Sequence, residues 1–93
     1  MQNEPTIRIL VFKDGDMYVA QCLEYDIAAC ASTMKELRND ILGTIECYRQ
    51  ESVDRSGNPF QGIDPAPQDL HKMWDEAEKF QEGANHHDMA LAA

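Results

Sequence analysis

The sequence has 93 residues, enough for one domain with a small core. Seventeen acidic against eight basic residues give a formal charge of −9, a surface that repels phosphate backbones and suits either solubility or a basic protein partner. Three cysteines are too few, and odd in number, for a disulfide framework, so Cys22, Cys30 and Cys47 read as small core residues of a protein in a reducing cytoplasm.

Glu4 and Pro5 open the chain without a signal-peptide pattern, and no apolar run reaches the roughly 18 residues of a membrane-spanning helix. Residues 1–5 are polar and expected to fray. Thr6 to Lys13 (TIRILVFK) is β-branched and apolar and predicts a first strand. Leu10 and Phe12 point one way, and Ile7, Ile9 and Val11 the other. A strand apolar on both faces predicts a central position or an oligomer contact. Asp14-Gly15 is the strongest hairpin signal in the chain, with Asp16 extending the turn. Met17 to Leu23 (MYVAQCL) returns as a second strand. A polar connection, Glu24-Tyr25-Asp26, leads to a third, Ile27 to Ala31 (IAACA), whose small residues let a helix sit close.

That helix is predicted from Thr33 to about Ser52. Thr33 and Glu36 have the spacing of a capping box: the Thr33 hydroxyl accepts from the third helical N–H, and Glu36 reaches back to the Thr33 N–H. Met34, Leu37, Ile41, Leu42, Ile45 and Tyr48 then form one apolar stripe. The cluster Asp54 to Pro59 ends the helix. Prolines keep Phe60 to Pro67 irregular, with Phe60 and Ile63 as its anchors on the core. A second helix is predicted over about 68–82, with Leu70, Met73, Trp74, Ala77 and Phe80 inward and Gly83 as its stop. The tail, 84–93, has no packing pattern and is expected to be mobile. The fold class is therefore α+β: a three-stranded antiparallel β-meander covered by a long helix, plus a short C-terminal helix. It forms one domain over 1–83 with its core at 6–52.

The run Tyr18-Val19-Ala20-Gln21-Cys22-Leu23-Glu24-Tyr25-Asp26-Ile27-Ala28-Ala29, followed by Thr33-Met34-Lys35-Glu36-Leu37, resembles the HicB-like antitoxin family. The resemblance covers about residues 6–52. It implies a β-β-β-α core related to a truncated ribonuclease H fold. It also implies that this core binds and blocks a small basic mRNA-cleaving toxin of the HicA kind. Family members add a C-terminal DNA-binding domain. Here the C-terminal part is short and acidic, with one convincing helix, so operator binding is not carried over. The family's usual Pro-Asp-Leu-Pro-Gly connection is replaced by Leu23-Glu24-Tyr25-Asp26.

The partner-binding candidates are Tyr18, Glu24, Tyr25 and Asp26; Thr33 and Glu36 are structural. No catalytic residue, cofactor or metal is assigned. Self-association as a homodimer or higher oligomer is expected from the sheet's edges, and neither direct DNA binding nor membrane association is. The alternative class is a residual metal-dependent nucleic-acid-processing enzyme, in which Asp14, Asp16, Glu24 and Asp26 would hold two Mg²⁺ ions. Turn and connection roles account for the same carboxylates. A third possibility is a self-associating protein of other role. His86-His87-Asp88 lie adjacent on a tail whose ordering costs about 1–2 kcal/mol per residue, which weighs against a metal site. His71 reads as a surface residue, and Trp74 with Phe80 as core.

Overall fold

Ile7–Asp14 forms the strand on which the molecule is built (β1), and its two apolar faces are each used. The computed structural model of the chain describes residues 6–81 and 87–91, with side chains described through Ala77 and at Ala90. Met17–Cys22 (β2) pairs antiparallel with β1, from Asp14 opposite Met17 to Ile9 opposite Cys22. Gly15 takes φ 62° at the first central position of the turn, while Asp16 keeps a negative φ. That is the II′ arrangement, whose twist matches paired strands. Ala28–Ala31 (β3) pairs antiparallel with β2 and completes the expected meander.

The long helix, Met34–Ser56 (α1), starts where its cap predicts and runs one turn further than Ser52. Gly57 ends it in the left-handed conformation, φ 82°, and donates to the Val53 carbonyl at 2.7 Å. Ser52, fully buried, satisfies its hydroxyl on the Tyr48 carbonyl at 2.7 Å. Leu37, Ile41 and Ile45 bury the middle of the predicted stripe against Ile7, Ile9, Val11, Ala20 and Cys22. The two ends of that stripe are corrected: Met34 and Tyr48 are exposed. A helix of 23 residues is about 34 Å long, while the four-residue β3 beneath it spans about 13 Å. The helix therefore overhangs the sheet.

The opposite face of β1 packs under Gln68–Glu76 (α2), where Leu10, Leu23, Ala66, Trp74 and Ala90 form a second buried cluster. Arg8 lies over the Trp74 ring, 5.7 Å from its centroid. The second helix ends at Glu76 rather than near residue 82. Its expected last turn is instead a strand, Glu78–Gln81 (β4), so Phe80 belongs to the sheet. The tail expected to be mobile contains a further strand, His87–Leu91 (β5), parallel to β1 and antiparallel to β4. Among the described residues the sheet is thus five-stranded, in the order β3-β2-β1-β5-β4, with helices on both faces. The physical reason is β1. A strand apolar on both faces leaves a costly edge if only β2 pairs with it, and β5 closes that edge. The fold is α+β, and no described helix is long and apolar enough to cross a membrane.

Candidate functional site

The connection that follows β2 is wired into the fold at every residue. The Leu23 N–H donates to the Arg8 carbonyl at 3.0 Å, and the Leu23 carbonyl accepts from Ala66 at 3.0 Å. Glu24 receives the Arg8 main-chain N–H at 2.7 Å on one carboxylate oxygen and the Arg8 Nε at 2.5 Å on the other. Tyr25 stacks on Phe60 with ring centroids 4.4 Å apart. Phe60 is buried and takes φ 62°, a conformation costly for a residue with a side chain. The stack, with the main-chain bond from Asp26 N to the Asp64 carbonyl at 2.6 Å, holds the 57–67 loop in place. Phe60 and Ile63 anchor that loop as expected. Asp26 is exposed, and its Oδ1 accepts from buried Gln21 Nε2 at 2.9 Å.

The four partner-binding candidates do not form one patch. Tyr18 sits opposite Lys13 beside the hairpin, with the Lys13 ammonium 5.6 Å from its ring centroid. Glu24, Tyr25 and Asp26 lie past the other end of β2, six residues or more along the chain, a separation of roughly 20 Å in extended backbone. Glu24 and Tyr25 are engaged internally. The carboxylates of the nuclease reading are split in the same way: Asp14 and Asp16 at the hairpin, Glu24 and Asp26 at the far end. Two-metal chemistry needs carboxylates around ions about 4 Å apart. Among the described residues no group of three His, Cys, Asp or Glu is placed to hold a metal.

The cap is built as expected on one side. Thr33 Oγ1 accepts from the Glu36 N–H at 3.2 Å. On the other side Glu36 accepts from the Thr33 hydroxyl at 3.2 Å, in place of the expected bond to the Thr33 N–H. Of the three cysteines, only Cys22 is a core residue; Cys30 and Cys47 are exposed. Burial, reinforced by the nearby Glu24 charge, pushes the Cys22 thiol up to about 12. His71 is not wholly at the surface: its Nε2 is buried and has no hydrogen-bond partner among the described residues. His86 lies outside the described residues. His87 and Asp88 fall in β5, level with Ile7 and Arg8.

A feature apart from the candidate residues, at the mid-helix glycine where the sequence allows a strand or partner chain to approach closely, lies at the open edge of β3. There Ala28 and Ala29 face Asn39, Asp40, Gly43, Thr44 and Cys47 of α1 across a groove of about 510 Å³. The signal for it was present. The small residues of Ile27 to Ala31 and the mid-helix Gly43 together leave this side of the helix uncovered. No family model, curated protein or solved structure matches the chain.

Proposed function

We propose that this chain is a non-catalytic, HicB-like protein-binding module that works by engaging a small basic protein, in the manner of an antitoxin neutralising an mRNA-cleaving toxin. The observation that carries this reading is the charge: −9 over 93 residues. The carboxylates of residues 14–26 are dispersed over two ends of the sheet rather than gathered about one centre. An acidic surface of this kind draws in a basic partner and speeds its encounter. The resemblance of residues 6–52 to HicB-like antitoxins supports the same kind of partner. The acidic balance opposes nucleic acid, since binding there depends on cations neutralising phosphates. The test mixes the purified chain with a HicA-type toxin and follows RNA cleavage. Stoichiometric inhibition with complex formation is expected. Undiminished cleavage with no complex would sink the reading.

Self-association is the second reading, and the open edge of β3 favours it. Sedimentation at micromolar concentration decides it, and a single 10.5 kDa species would exclude it.

A further inference from the structure

We infer that the open edge of β3 is a strand-addition site, and that its occupant is an extended, lysine- or arginine-rich segment of a partner protein. The inference rests on the reading of the chain as a protein-binding module and names the surface that does the binding. Among the described residues, strand β3 has β2 on one side and no strand on the other. The two-residue turn makes Asp14–Met17 a hydrogen-bonded pair of the β1–β2 ladder, so Met17, Val19 and Gln21 direct their main-chain groups toward β1. Tyr18, Ala20 and Cys22 therefore address β3, and Cys22 N donates to the Ile27 carbonyl at 2.9 Å in agreement. In β3, Ala29 and Ala31 face their partners Ala20 and Tyr18. By the same alternation, the N–H and C=O groups of Ala28 and Cys30 point outward.

Natural edges are blunted by lysine, proline, bulges or a covering segment. This edge carries alanine and cysteine, and among the described residues a groove runs beside it instead of a cover. The helical wall of that groove has Asp40 and no lysine or arginine. Further along the same side of α1, Glu51 and Asp54 continue the acidic face. Arg55 there pairs with Glu51 at 3.5 Å and also donates to the Gln61 carbonyl at 2.8 Å, which leaves Asp40 and Asp54 as the carboxylates of this face without a cationic partner among the described residues. An incoming strand would bond its main chain to Ala28 and Cys30 and set alternate side chains against this wall. Cations are the side chains that fit. A second copy, carrying −9 of its own, presents the wrong sign.

Gly43 gives a clean way to close the groove. A Cβ built there meets no atom within 4 Å, and replacing a mid-helix glycine improves helix propensity. Gly43→Trp thus sets a bulky ring in the groove at a position where the added Cβ meets no neighbour. The probes are an alternating Thr-Lys peptide and an alternating Thr-Glu peptide, at about 0.1 M salt where the Debye length is near 10 Å. Amide hydrogen exchange on the full chain is expected to slow at Ala28 and Cys30 with the Thr-Lys peptide and to stay unchanged with the Thr-Glu peptide. Gly43→Trp, and separately Asp40→Lys with Glu51→Lys, should each weaken Thr-Lys binding about tenfold or more. Equal binding of both peptides, protection confined to other strands, or protection of Ala28 and Cys30 that grows with protein concentration alone would overturn the proposal. The last result would name a second copy as the occupant. If Gly43→Trp inhibits the toxin as well as the parent does, the edge site is overturned and the binding-module reading stands. If the peptide protects the edge but no toxin is inhibited, the site stands and the toxin is removed as partner.

Discussion

Thr33 is the residue whose role follows most directly from its place in the sequence. Its hydroxyl accepts the Glu36 N–H, so Thr33→Ala should lower stability by about 1 kcal/mol, read as a shift in the urea midpoint. An unchanged midpoint would mean that α1 does not depend on this cap. Glu24 is the opposite case. It looks like an exposed acidic residue in a polar connection, yet it is tied twice to Arg8, which in turn covers Trp74. Glu24→Ala strands those donors and should cost about 2 kcal/mol; a neutral effect would restore Glu24 as a free surface group. Cys22 is distinguished from the other cysteines by burial alone. In the folded chain, iodoacetamide at pH 8 should modify Cys30 and Cys47 and spare Cys22. Because its folded-state value, about 12, lies above the ordinary 9.0, the Cys22 contribution to stability is present below pH 9. It is lost as the pH rises from there toward 12. Cys22→Ala should flatten the alkaline side of the stability profile, and an unchanged slope would contradict the burial argument.

At the scale of elements, the hairpin, the meander and α1 were legible because their signals are local. Asp14-Gly15 sets a turn, β-branched runs set strands, and Thr33 with the Leu37-Ile41-Ile45 stripe sets a helix. What could not be read was β4 and β5. Residues 78–91 contain no Val, Ile or Thr, and Phe80 is the single residue with a strand preference. These strands exist because β1 offers them an edge, a tertiary cause invisible to propensity. The helical spacing of Trp74, Ala77 and Phe80 pointed instead to a continued helix. The candidate site fared similarly. Acidity and the 24–26 connection could be singled out, but their engagement with Arg8, Phe60 and Asp64 depends on segments far away in sequence. Ala90 tests β5. It is fully buried beside Leu10 and Trp74, so Ala90→Asp should cost about 3 kcal/mol or more by burying an unpaired charge. A substitution without effect on the urea midpoint would leave 87–91 outside the core.

For the whole molecule, the sheet of the described residues is covered on both faces near β1 and open at β3, and the chain is strongly acidic. On the proposed reading such a body binds a basic protein by its edge and repels phosphate. The eight basic residues are spread from Arg8 to Lys79, and α2 has Lys72 against Asp69, Asp75 and Glu76. The isolated protein should therefore leave DNA unshifted in a gel at about 0.1 M salt. The most direct test of the central claim is a titration of the chain, side by side, with a HicA-type toxin and with duplex DNA and RNA. We expect a saturable complex with the basic protein, weakened by salt and by Gly43→Trp, and none with either nucleic acid. Saturable binding to DNA or RNA, with no complex to the basic protein, would contradict it.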